Sequence, residues 1–460
     1  MFSIYDLITY LPTVAKPTFR PSFNSKLKWT FLALSIYFLL GLIPIYGVHP
    51  IALERFKFFE LVLGAKFGTL TTLGIGPIVT SGIILQLLVG SKIIDWKLDE
   101  EEDRKKFQAW SKTLAFLFVL LEAIGMVLGG VLPVYGGIGV LSAVILQLAI
   151  GGILIILLDE LVSKWGMGSG ISLFIVAGVA SSLFISLFSP FAVYQYSVNG
   201  RIVTKVGLPS FENPPAGYLW KSIFSLVKGD ISSFLMYFLP IISTFLIFLF
   251  VCYIQLVGVE IPLSFASLRG FGRSWELKLM YTNVIPLILA SALIANLQLV
   301  SNMAKSSEFN SVIFFLSPPQ NFLQQLVSGI IIPIEVLRAI TYTIFITILA
   351  TIFSYIWVLT SGMDARSVAE QLESFGMQIP GFRMRSQIME NVLDKYIPSL
   401  AIWSGILIGL LASMANLLGT IGRGTGILLA VMIIYNYYEI MKREMKESEA
   451  PSYIKRFLGE

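Results

Sequence analysis

One cysteine and one histidine in 460 residues exclude most metal chemistry at once. Zinc and haem sites built from His and Cys clusters need several such ligands, and Cys252 and His49 each stand alone. A single cysteine also forbids an intramolecular disulfide, so redox compartment cannot be read from it. His49, beside Pro50, reads as a polar interfacial residue. Charge is scarce as well. Only 13% of residues are charged, where a soluble domain carries about 25%. No GxxxxGK[ST] phosphate loop is present. The glycine-rich run Gly166–Gly170 leads into an apolar stretch without the lysine that phosphate binding needs. No local motif suggests a nucleophile with its base and orienter. The expectation is therefore a protein that is not an enzyme and has no cofactor or metal. Energy for any transport must come from a gradient or a partner.

What is abundant is apolar sequence. The chain is 56% hydrophobic with a mean hydropathy of +0.80, which predicts a polytopic membrane protein. Apolar runs predict ten spans, near 29–46, 76–92, 110–131, 139–158, 171–189, 234–256, 282–299, 338–360, 397–418 and 424–442. An even number puts both termini on one side. Of the 33 Lys and Arg, 23 fall in the N-tail, the even-numbered loops and the C-tail, and 10 in the odd-numbered loops. The richer side is cytoplasmic, so both ends are expected there. Residues 1–17 read as an interfacial amphipathic helix, not a cleavable signal. The domains expected are 1–189, with five spans, an external loop 190–233, and 234–460, with five more. Asn199-Gly200 between β-formers predicts a hairpin in that loop. Residues 300–337, with Pro318-Pro319, read as a partly helical cap. Five plus five spans suit an inverted repeat, though no residue-level repeat is visible.

The stretch TLGIGPIVTSGIILQLLVG (72–90) stands out. It is apolar, yet Gly74, Gly76 and Pro77 loosen its start and free backbone groups that lipid cannot satisfy. It is expected to face a protein-lined cavity, with its helix beginning near Gly76; a kinked helix packed among others is the competing reading. Residues 53–66 form a short amphipathic piece, too short to span a bilayer. Together they suggest a movable segment hinged to a wall. Glu122, in the middle of the third span, is either a functional carboxylate or a protonated acid tying two helices. Asp159 and Glu160 mark the end of the fourth. Loops 257–281 and 361–396 are long for connectors. They carry Arg269, Arg273, Arg383 and Arg385 near aromatic residues, which suits phosphate backbones and bases, or anionic lipid.

These residues resemble the SecY family, the large subunits of protein-conducting translocation channels. Residues 72–90 resemble the family's second-helix signature, and LDELVSKWGMGSGISLFI (158–175) its second signature. NVIPLILASALIANLQL (283–299) is similar to its seventh helix and RGTGILLAV (423–431) to its tenth. The wording of the second helix and the compact tail are similar to archaeal members.

The resemblance implies an all-α, ten-helix clamshell of two pseudo-symmetric inverted halves. Its pore ring would be Ile75, Val79, Ile171, Ile175, Ile288 and Leu429. A plug helix would include Leu53, Phe56, Phe59, Leu63 and Gly64. A lateral gate would carry Thr80, Gln86, Glu122 and Asn296, and the arginines above would meet the ribosome and its RNA. Implied partners are small SecE/gamma-type and beta-type subunits, signal sequences, nascent polypeptides and the lipid bilayer; the implied place is the plasma membrane. Read without the resemblance, a secondary transporter of a small solute remains the alternative.

Overall fold

The computed structural model describes residues 11–48, 65–96, 98, 100–198, 201–210, 213–265, 272–304, 307–319, 322–329, 332–374, 377–378, 386–422 and 424–447. The expected plug residues, together with Arg269, Arg383 and Arg385, lie outside these. In chain order the elements are α1 (Phe23–Leu40), α2 (Gly76–Gly90), α3 (Glu101–Leu128), α4 (Ile138–Trp165) and α5 (Gly170–Phe188). A hairpin follows, β1 (Ala192–Val198) and β2 (Arg201–Gly207), then α6 (Tyr218–Val227) and α7 (Ile231–Gln255). Strands β3 (Gly258–Phe265) and β4 (Gly272–Lys278) lead into α8 (Ile285–Ala304), α9 (Ser307–Leu316), α10 (Phe322–Ser328) and α11 (Pro333–Thr360). The last elements are α12 (Ala365–Ser374), β5 (Met377–Gln378), α13 (Ser386–Leu393), α14 (Ile397–Leu417) and α15 (Gly424–Glu447).

Seven of these helices are long and apolar enough to cross a membrane: α3, α4, α5, α7, α11, α14 and α15. Two more, α2 and α8, are apolar but shorter. The 15 residues of α2 span about 22 Å, less than the roughly 30 Å of a hydrocarbon core. The structure therefore supplies a helix at each expected span but does not by itself fix the count at ten. The first helix starts earlier than expected. Ser22 caps it, accepting from the Ser25 N–H, and Lys26 and Lys28 lie inside it.

Close backbone approach is made by glycine. On α14, a Cβ at Gly405 or Gly409 would fall 2.4 or 2.5 Å from the Thr351 or Thr347 Cα of α11. This small-xxx-small spacing lets two helices touch backbone to backbone. On α4, a Cβ at Gly151 would fall 1.9 Å from the Leu70 carbonyl oxygen, so the chain just before α2 lies directly on it.

The long loops on the β3 side are structured. Strand β3 pairs antiparallel with β4 and also with β5, so both connectors share one three-stranded sheet. Ile261 and Leu277 of the hairpin pack with Val368, Ala369 and Leu372 of α12 and with Met389 and Leu393 of α13. The expected hairpin in 190–233 is present as β1–β2, at the other end of α7.

Candidate functional site

The chain enters α2 through a broken segment. Gly74 has φ +53°, a left-handed conformation open to glycine, and Pro77 sits in the first turn. Threonine hydroxyls satisfy the freed backbone. Thr69 donates to the Lys66 carbonyl at 2.7 Å, Thr72 donates to the Thr69 carbonyl, and the Thr69 N–H donates to Thr72 Oγ1 at 3.1 Å. All of this is buried, which is where non-helical backbone is tolerated at membrane depth.

A cavity of about 850 Å³ opens beside this segment. Thr71, the C-terminal part of α5, Tyr218 of α6 and the turn between α14 and α15 line it. It therefore lies on the β1–β2 side, away from the sheet of β3, β4 and β5. One face of α5 changes character along its length. Ile171 and Ile175 come first and do not line the cavity, whereas Gly178, Ser181, Ser182, Ile185 and Ser186 follow and do.

Residues next to the cavity-lining ones in sequence are buried in the core. Ile75, Ile175 and Leu429 have no exposed surface, Val79 is 5% exposed and Ile288 6%. These five belong to one continuous apolar core, and Ile171 packs against it. The six come from α5, α8, α15 and the start of α2, which the fold brings together from distant parts of the sequence.

Helices before residue 189 meet helices after 231 along two seams. At the first, α2 packs against α8 and α11. Asn296 Nδ2 of α8 donates to Thr80 Oγ1 of α2 at 2.9 Å. The Thr80 hydroxyl has two acceptors in reach, Glu122 Oε1 of α3 at 3.2 Å and the Gly76 carbonyl at 2.8 Å. Three of the four expected gate residues thus converge. Gln86 does not join them. It lies six residues from Thr80, about 240° round the helix, and its buried Oε1 finds no hydrogen-bond partner among the described residues.

At the second seam α5 packs against α15. The Tyr437 hydroxyl of α15 donates to the Ser169 carbonyl at 2.7 Å. Asp159 Oδ1 accepts from the Ile171 N–H at 2.9 Å and so caps α5. Glu160 accepts from Lys112, Lys164 and the Val14 N–H, which ties the N-terminal segment to α3 and α4. The two end-of-span carboxylates are therefore partnered in this fold.

Other joints were silent in the sequence. Thr282 Oγ1 lies 2.8 Å from Ser354 Oγ and 2.9 Å from Ser404 Oγ, a buried hydroxyl cluster joining the foot of α8 to α11 and α14. Lys278, at the end of β4, pairs with Glu439 of α15 and covers the Tyr435 ring. Burial pulls its ammonium pKa down, and the bond and charge of Glu439 more than offset this, leaving it above the usual lysine value. Arg273 lies on β4, opposite Leu263.

A family model described as SecY matches residues 69–438. A protein translocase subunit SecY of Pyrococcus furiosus is 38% identical, over 99% of this chain and 98% of its own length. A solved protein-conducting channel superposes with a TM-score of 0.80 at 36% identity, covering 96% of this chain and 97% of its own. Sec61 in a canine ribosome-channel complex from the endoplasmic reticulum gives a TM-score of 0.77 at 36% identity over the same shares.

Proposed function

The chain belongs to the SecY family, and on that premise we propose how its parts serve a protein-conducting channel. It is a multi-pass membrane protein and a passive conduit for polypeptides. The small-solute transporter is set aside, because the matched relatives are a translocase subunit and channels. The single observation that carries the site reading is a cavity lined by Thr71 and the C-terminal part of α5, with buried Ile75 and Ile175 a turn further along the same two segments. Ile75, Val79, Ile171, Ile175, Ile288 and Leu429 form the constriction. Apolar walls resist wetting, so they seal against ions yet yield around a peptide.

Thr80, Asn296 and Glu122 form the latch of a lateral gate, with Gln86 on the same helix but outside the latch. Each such bond is worth about 0.6–2 kcal/mol in a membrane. An entering apolar segment that buries roughly 100 Å² gains about 2.5 kcal/mol, which exceeds one latch bond. Signal sequences open the gate by that competition, and apolar segments leave through it into the lipid bilayer.

Residues 53–66, including Leu53, Phe56, Phe59, Leu63 and Gly64, supply the plug. The support is that Ala65 and Lys66, at its end, line the cavity. The sheet of β3, β4 and β5, with Arg269, Arg273, Arg383 and Arg385, docks the ribosome and its RNA; a Sec61 relative was solved on a ribosome. SecE/gamma-type and beta-type subunits complete the assembly. Both termini face the cytoplasm of the plasma membrane, as the Lys and Arg distribution supports.

The test is a photoreactive residue at Ile75, with a stalled nascent chain on its ribosome. A crosslink that appears only with a signal-bearing chain is expected. No crosslink, while a probe at Arg383 still labels the ribosome, would remove the conduit and leave a docking protein.

A further inference from the structure

A buried arginine sits in the cap on the β1–β2 side, and the channel reading leaves it unused. Arg338 lies in the second turn of α11 and is 8% exposed. Its Nε donates to the Ser317 carbonyl at 3.0 Å, its Nη1 lies 3.5 Å from Glu335 Oε1, and its guanidinium covers the Phe314 ring at 4.1 Å. Thr341, nearly a turn on, donates its hydroxyl to the Phe315 carbonyl at 2.7 Å. Helix α11 thus grips the end of α9 at two carbonyls.

Ser317 in turn reaches the gate helix. Gln298 Nε2 of α8 donates to Ser317 Oγ at 2.6 Å. Ser301, three residues further and on the same face of α8, donates to Asn310 Oδ1 of α9. Asn296 is two residues from Gln298, about 200° round the helix. So α8 is held on two faces, by Asn296 toward α2 and by Gln298 and Ser301 toward α9. A helix held on one face alone can roll. A roll of about 10° moves a side-chain tip ~5 Å from the axis by about 1 Å. That takes a bond of 2.9 Å beyond hydrogen-bonding range.

We propose that Arg338 is a positioning residue for the gate: by fixing Ser317 it sets the roll of α8 and presents Asn296 to Thr80. The proposal rests on the gate reading above.

The test uses membranes carrying the full-length chain and a series of test segments graded in hydrophobicity. The readout is the ratio of inserted to translocated segment, with thermal stability measured beside it. Arg338→Gln and Gln298→Leu should each raise the inserted ratio about threefold at fixed hydrophobicity, the scale of one interhelical bond, ~0.6 kcal/mol. In an Asn296→Leu background both effects should vanish, because no amide is left to present. Additive effects, or a loss of stability with the ratio unmoved, would mean that Arg338 only braces the fold, and would overturn the proposal. If Arg338→Gln fails to fold, Gln298→Leu carries the test, since it leaves Arg338, Glu335 and Ser317 in place. If Asn296→Leu shifts the ratio and Gln298→Leu does not, the proposal falls alone. If Asn296→Leu changes nothing, the gate reading falls and the proposal with it.

Discussion

The two seams between the helix groups are made of different material. The first is held by side chains reaching side chains: Asn296 to Thr80, and Thr80 to Glu122. A rotamer change undoes either bond. The second is held at the backbone. Tyr437 reaches the Ser169 carbonyl, and Gly168, with φ +73°, lies so close that a Cβ would sit 3.1 Å from the Tyr437 ring. On the near side of this seam a Cβ at Gly170 would fall 2.5 Å from the Asp159 Cα, so the turn that presents the Ser169 carbonyl is closely packed. The Tyr437 hydroxyl grips a turn that has little room to shift. The difference predicts that the first seam parts and that the second serves as the pivot.

The sharpest way to break this comparison is to crowd the pivot. Gly170→Val should destabilise the protein by about 3 kcal/mol, the upper range for overpacking, read as a large fall in melting temperature. Tolerance of valine there would show that the turn is not rigid. Tyr437→Phe removes one of the two bonds to the Ser169 carbonyl, which keeps the Leu173 N–H, at a cost of about 0.5–1.5 kcal/mol in the same measurement. Its effect should fall on stability and leave the insertion ratio unmoved. Asn296→Leu should do the reverse, raising that ratio about threefold, for ~0.6 kcal/mol, with melting temperature held. Equal effects of the last two on both readouts would erase the distinction between the seams. The smallest effect is expected from Glu444→Gln. It removes the ion pair with Lys26, 2.7 Å apart, that ties α15 to α1. A loss of about 0.5 kcal/mol is expected, fading in ~1 M salt.

Much of the framework was legible in sequence. Gly74, Gly76 and Pro77 placed the start of α2 correctly, because glycine and proline act through local backbone geometry. The alternation around Asn199-Gly200 likewise placed β1 and β2. The gate cluster was legible only through the family resemblance. Thr80 and Asn296 are 216 residues apart, and no spacing rule connects them. Gln86 was drawn in by that resemblance, and helical phase puts it on a different face of α2 from Thr80. The sheet of β3, β4 and β5 was missed because its third strand is only two residues long and comes after five intervening helices. Arg338 was passed over because an arginine at the end of a span is ordinary; its burial is a tertiary fact. The first helix was placed late because Lys26 and Lys28 read as flanking charge, whereas Lys26 sits within α1 and finds Glu444.

The change of residue along α5 has a consequence for the bore. From buried Ile175 to Ser182 at the cavity wall, residue size falls while the helix runs on unbroken. Under the proposed pore reading, exchanging isoleucine and serine on this stripe should slide the narrowest point along α5, with the scaffold left as it is.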